Sequence, residues 1–345
     1  MLLVVWMLPL PAKAQFTFTT NNGAITITGY TGSAMNVAVP AVTNGMPVVA
    51  IGAGAFNYSS ITNLNIPNSV TNIAVNAFRY SNLVSISIPG SVTSIGGDAF
   101  ENCVALKTLT IPDSVSVLGK GLCYSCVGLS SVTLGNGLTS LPDYTFQLCS
   151  QLASISIPHG VGSIGNDVFQ GCTNLSRVSL SGALTSIGGE AFNACTGLTN
   201  ITFPNGVTYI GGAAFGGCTR LTSAYFMGNS PSTNSTLFLG SSATVFYLPG
   251  TVGWTSVFGS RPTAPWVLPY PVILYIEPSF GVQTSGFSFL VSWATNTSIV
   301  VEATANVADS SWSAVSTNAL NNGTNYFSDP NWSNYPARFY RVSSL

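Results

Sequence analysis

The sequence predicts a mainly β solenoid of ~23-residue coils carrying short helical turns, followed by a small C-terminal β-sandwich. Three observations predict it. Six cysteines, Cys103, Cys126, Cys149, Cys172, Cys195 and Cys218, recur at intervals of 23 residues. Phe56, Phe78, Phe100, Phe146, Phe169, Phe192 and Phe215 keep step three positions ahead of the cysteine column. Between them runs an alternating apolar stretch that ends on proline, as in TLTIP and SISIP. A fixed period of this length marks a solenoid, because one coil cannot bury its own apolar face and must be covered by its neighbours.

One unit reads F-x-x-C-x-x-L-x-x-I-x-I-P-x-x-V-x-x-I-G-x-x-A, as in FENCVALKTLTIPDSVSVLGKG and FQLCSQLASISIPHGVGSIGND. Ser59 and Ser81 hold the cysteine position in the first two units, and Cys123 holds the Phe position of the fourth. Alternating residues such as Leu109 and Ile111, or Ile155 and Ile157, point to one side of a half-buried strand, which leaves the residues between them to solvent. Pro67, Pro89, Pro112, Pro158 and Pro204 end the strands, since proline lacks an N–H for the ladder. Gly96, Gly165, Gly188 and Gly211 are expected to permit the turn that drops the Phe inward.

These residues resemble the BspA-like leucine-rich repeats of bacterial surface proteins, over roughly residues 45 to 228. The resemblance implies a curved solenoid and a secreted or cell-surface role in adhesion or recognition, without fixing a ligand. The chain accordingly divides into a signal peptide (1–14), an N-terminal cap (15–50), leucine-rich repeats (51–228), a C-terminal cap coil (229–253), a linker (254–272) and a small β-sandwich (273–345).

The signal peptide is read from the apolar run Leu2 to Leu10 and the small-residue site Ala12-Lys13-Ala14 before Gln15. No other stretch reaches the ~20 apolar residues of a membrane helix, because Pro269 and Pro271 break Val267 to Ile276. The linker is expected from Pro262, Pro265, Pro269 and Pro271. Beyond it, Phe287–Trp293, Ile299–Ala303 and Arg338–Val342 read as strands. This end of the chain resembles C-terminal modules appended to repeat and autotransporter-like secreted bacterial proteins.

Composition narrows the function. Charged residues make up 6% of the chain, nine Lys/Arg against ten Asp/Glu, so the basic footprint that nucleic acid requires is missing. The single histidine, His159, has no second histidine for a metal pair or relay and reads as a loop residue. Asp98, Asp143, Asp167 and Glu190 recur near one turn, where they are expected to be acceptors at the start of the helical turn rather than a glycosidase-like pair. No cofactor, metal or catalytic residue is assigned. The cysteines are read as buried free thiols, since parallel Cβ vectors in a ladder oppose disulfide geometry, and the Cys123-x-x-Cys126 motif is absorbed by the repeat columns.

The expected function is therefore non-catalytic binding by a monomer, with a protein or cell-surface ligand. The candidate face is the solvent-side column Asn65, Ser87, Thr110, Thr133, Ser156, Ser179, Thr202 and Tyr225, with Lys107 and Arg177 alongside. Ser and Thr also suit any solvent-facing strand. Carbohydrate is the alternative ligand, through these hydroxyls or through Trp312, Trp332 and Tyr335, and a structural spacer is a third reading.

Overall fold

The computed structural model describes residues 15–274, 280–284, 286–308 and 311–345; the expected signal peptide lies outside them. The chain forms two compact units. One takes the residues up to Pro158 together with Val168–Thr173, and the other takes His159–Asp167 with Asn174–Leu345.

In both units the repeats coil as expected, and each coil is bonded to the next along more than one side. In the first unit the strands Asn36–Ala38, Asn63–Asn65 and Ser85–Ser87 pair in parallel and in register, as do Thr108–Thr110 and Ser131–Thr133. A second side stacks Ala24–Tyr30, Met46–Ile51, Asn72–Ile73, Ser94–Ile95 and Val117–Leu118, also in parallel. On the third side no strand forms. The turns that carry Phe nevertheless bond coil to coil, Phe78 N–H to the Ala99 carbonyl and Phe100 N–H to that of Leu122, each at 2.8 Å. Every side of a coil thus finds main-chain partners in its neighbour, as buried backbone requires.

In the second unit Ser163–Ile164, Ser186–Ile187 and Tyr209–Ile210 stack in parallel as short strands. Asn200–Phe203, Ser223–Phe226, Thr244–Tyr247 and Arg261–Pro265 form a parallel run. That last strand lies inside the segment expected to be linker. It belongs to a hairpin in which Val257 pairs with Pro262 and Phe258 with Arg261. Gly259 and Ser260 turn it, both at positive φ (56° and 63°), the geometry that matches strand twist. Pro262 and Pro265 are compatible with it because the strand lies near the end of the stack, where a missing N–H is tolerated.

The interior is the ladder of identical positions. Phe56, Phe78 and Phe100 stack ring on ring at 5.5 and 5.1 Å. Phe146 and Phe169 stack at 5.7 Å, Phe192 and Phe215 at 5.0 Å. Leu106, Leu109, Ile111, Leu152, Ile155, Leu175 and Leu198 are buried around them.

Two expectations about the turns change. The only helix among the described residues is the single 3-10 turn Trp332–Asn334, so the repeats carry no helical turns. Each Phe-bearing turn holds left-handed residues before and after the Phe, as at Asp98 (φ 54°) and Asn102 (φ 56°) around Phe100. An α-helix cannot propagate through such residues. Asp98, Asp167 and Glu190 occupy the first of these left-handed columns (φ 54°, 57° and 55°) instead of capping a helix, and Asp143 pairs with Lys120 at 2.7 Å. The glycine column also acts differently from the expectation. Gly96, Gly188 and Gly211 do not have positive φ, but a Cβ at each would fall 2.4–2.5 Å from the backbone of the preceding coil. They are glycines because the coils touch there.

After Val272 the strands form separate antiparallel sheets. Val272–Leu274, Gly281–Gln283, Gly286–Ser292 and Thr324–Asp329 make one, and Thr297–Thr304, Ser313–Leu320 and Phe339–Ser344 the other. Phe289, Val291, Ile299, Val301, Leu320 and Phe327 form the core between them.

Candidate binding face

Alternation along the longer strand of each coil sets the face. In Thr108–Thr110 the central Leu109 is buried and both threonines are exposed; Asn63–Asn65 and Ser154–Ser156 repeat the pattern. Because the pairing is in register, the exposed residues line up in columns with the strand spacing of about 4.8 Å.

The hydroxyls of the repeats divide into two groups. Several of those flanking the strands are spent on the stack. Ser91 Oγ donates to the Val70 carbonyl at 2.7 Å, Ser114 Oγ to Val92 at 2.6 Å and Ser130 Oγ to Lys107 at 3.1 Å. In the second unit Ser181 Oγ donates to the His159 carbonyl at 2.7 Å and Thr222 Oγ1 to Thr199 at 3.2 Å. On the strand face Ser85 Oγ reaches Asn63 of the neighbouring coil. In the column between the apolar positions the hydroxyls are not used in this way: among the described residues, the side chains of Ser87, Thr110, Thr133 and Ser156 of the first unit, and of Ser179 and Thr202 of the second, are exposed and make no hydrogen bond to the protein.

Of the two cations named with this column, Arg177 opens the strand Arg177–Ser179 and shares its outward side with Ser179. Lys107 does not lie on a strand. It precedes Thr108–Thr110, and its carbonyl accepts the Ser130 N–H at 3.0 Å. The face also extends further than the sequence reading placed it. Asn36 and Ala38 begin it, in register with Asn63 and Asn65, because the cap supplies a strand of its own. In the second unit Tyr225 pairs with Phe246, their rings 5.1 Å apart, and Trp266 lies 4.7 Å from Tyr225. The cap strand Asn36–Ala38 carries the strand-proline pattern of the repeats in Val37-Ala38-Val39-Pro40, but Val37 stands 27 residues before its partner Leu64 and so falls outside the 23-residue period.

The aromatic residues of the C-terminal sheets are partly occupied. The Arg341 guanidinium lies 4.6 Å over the Trp312 ring, and Arg338 lies 3.9 Å over Tyr335. One face of each ring is thereby covered, which leaves these two rings poorly placed to stack on a sugar.

No group of three or more metal-ligating side chains occurs among the described residues. His159 is exposed, and its ring lies beside Gly182. All seven cysteines are buried free thiols. Each Sγ that faces the coil before it donates to a main-chain carbonyl: Cys103 to Phe78 at 3.1 Å, Cys126 to Phe100 at 2.9 Å, Cys172 to Phe146 at 3.2 Å and Cys218 to Phe192 at 3.1 Å. Burial pushes the thiols of Cys103, Cys172 and Cys218 up to about 12, away from the thiolate that redox or metal chemistry uses. Cys123 and Cys149 are raised for the same reason. No described helix is long and apolar enough to cross a membrane.

A family model described as BspA type leucine-rich repeat region matches in six copies, over residues 49–158 and 139–254. Among solved structures the chain is similar to a leucine-rich repeat protein of T. pallidum, with 30% identity over 54% of this chain and 89% of that one and a TM-score of 0.51. It is also similar to a leucine-rich repeat protein from Bacteroides ovatus, with 27% identity, 68% and 70% coverage and a TM-score of 0.50. No curated protein matches. The repeat period, the parallel ladders and the match across residues 49–254 lead to one conclusion: the chain belongs to the BspA-type leucine-rich-repeat family.

Proposed function

We propose that the protein is exported, matures at Gln15 and acts outside the cell as a non-catalytic recognition protein whose strand face binds a protein or cell-surface ligand. The observation that carries this reading is the row of unengaged hydroxyls at Ser87, Thr110, Thr133 and Ser156 on the strand face, beside flanking hydroxyls such as Ser91, Ser114 and Ser130 that bond to the neighbouring coil. Exposed polar groups without internal partners are available to a ligand, and within each unit stacked repeats present them side by side. The low charge of the chain supports recognition by hydrogen bonding and shape over electrostatic steering. Family membership supports a surface role, and the C-terminal sheets are read as a separate module of residues 273–345.

The test places charge and bulk on the face without touching the core. Thr110→Arg with Thr133→Arg should abolish binding of the labelled protein to intact cells while leaving its melting temperature unchanged, since both positions are exposed. Undiminished binding would remove the strand face from the reading. Mass spectrometry of protein recovered from its own host should find Gln15 at the terminus; a retained Met1 would remove export.

A further inference from the structure

We infer that the N-terminal end of the strand face is a binding site for a neutral carbohydrate. The inference deepens the reading of the strand face as a recognition surface, and it rests on a depression of about 370 Å³ lined by Asn36, Ala38, Asn63, Asn65, Ser85 and Ser87. It is shallow and open to solvent rather than enclosed. The depression exists because Ala38 puts a methyl group where the next coils carry Asn65 and Ser87. Val37 and Leu64 turn inward, 7% and 3% exposed, and offer the ligand only backbone.

The polar groups are arranged in two rows. In one, Ser85 Oγ donates to Asn63 Oδ1 at 2.6 Å, and Asn63 Nδ2 donates to Asn36 Oδ1 at 2.6 Å and to Thr62 Oγ1 at 3.2 Å. Both hydrogens of the Asn63 amide are thus consumed, and its role is to hold Asn36 in place. Asn36 then presents its own NH2 with both hydrogens unspent. In the other row, the whole amide of Asn65 and the hydroxyl of Ser87 have no protein partner.

The site therefore offers fixed donors from Asn36, paired donors and an acceptor from Asn65, and a hydroxyl that can do either. Sugar hydroxyls, which both donate and accept, match that set. An anionic ligand would need a cation, and the lining has none. The lining also lacks the aromatic and arginine side chains in which the hot spots of protein interfaces are enriched. The Ala38 methyl gives a small apolar patch against which the C–H face of a sugar ring can rest.

The test uses an array of uncharged glucose, mannose and N-acetylglucosamine oligosaccharides, with sialylated and sulfated glycans beside them, and then titration of the retained glycans. Neutral glycans should be retained in preference to charged ones. Asn36→Ala and Asn65→Ala should each weaken binding about tenfold, the loss of roughly one hydrogen bond of this type, with the melting temperature unchanged. Retention of no neutral glycan, a preference for charged ones, or affinity unmoved by either variant would overturn the inference. The broader reading is tested separately: cell binding that survives Asn36→Ala and Asn65→Ala but fails in Thr110→Arg/Thr133→Arg keeps the recognition face and discards the sugar site.

Discussion

The Cys126 thiol donates to the Phe100 carbonyl at 2.9 Å, while the same carbonyl accepts the Cys103 N–H at 3.1 Å. A carbonyl oxygen has two lone pairs, and here one is filled from within its own coil and the other by the sulfur of the next. The thiol proton is thus part of the packing. Cys126→Val would keep an apolar side chain of similar size and leave that carbonyl with the Cys103 N–H alone, and we expect the lost S–H bond to cost about 0.5–1 kcal/mol. Urea denaturation measures it; a variant equal to the parent would show that the sulfur acts through volume alone.

The same packing predicts sensitivity to alkali. An unfolded thiol titrates near its ordinary 9.0, whereas burial holds Cys172 and Cys218 up to about 12. Below pH 9 both states keep the proton. Between about 9 and 12 the unfolded chain releases it and the folded chain does not, so their contribution to stability is lost as pH rises across that window. Urea midpoints should fall above pH 9, and less steeply in Cys172→Ala/Cys218→Ala. In the folded protein at neutral pH, Cys149, Cys172, Cys195 and Cys218 should resist alkylation and react only in denaturant, without reductant.

Phe169 is fully buried and stacks on Phe146 at 5.7 Å. Truncation to alanine removes a ring from a column in which each ring is the wall of the next site. The expected loss is about 3–5 kcal/mol by chemical denaturation, and a loss within error would place Phe169 outside the core.

The columns that make this core were legible because burial acts on residue type: Phe, Leu and Ile at one position in successive coils can only mean an inward position. Hydroxyls carry no such signal. Ser91, committed to Val70, and Ser87, committed to nothing, differ in geometry and not in chemistry. Their roles appear only once each coil is seated on the next. The glycines misled for a related reason, since glycine serves both positive φ and close approach, and Gly96 needs the second. Asn36 was passed over because its strand, Asn36-Val37-Ala38-Val39-Pro40, matches the repeat pattern but not its spacing, and its part in the face comes from pairing with Asn63. In the C-terminal sheets Ser313–Leu320 was missed because its alternation is of small polar residues, with only Leu320 buried.

Those sheets hold a buried ion pair whose removal should be costly. Asp329, 5% exposed, accepts the Tyr340 hydroxyl at 2.9 Å and the Asn331 N–H at 2.9 Å. Arg338 Nε lies 2.7 Å from Asp329 Oδ2, an ion contact without an aligned hydrogen bond, and the guanidinium stacks on Tyr335. Asp329→Ala would leave the Arg338 charge, whose side chain is 12% exposed, without its counter-ion. A broken buried pair costs about 3–5 kcal/mol, most of it the desolvation of the remaining charge. Removing both charges should therefore be cheaper than removing one. In a double-mutant cycle read by urea denaturation, Asp329→Ala/Arg338→Met should be more stable than Asp329→Ala alone. If the two losses simply add, Arg338 does not depend on Asp329, and the guanidinium is held by Tyr335 instead.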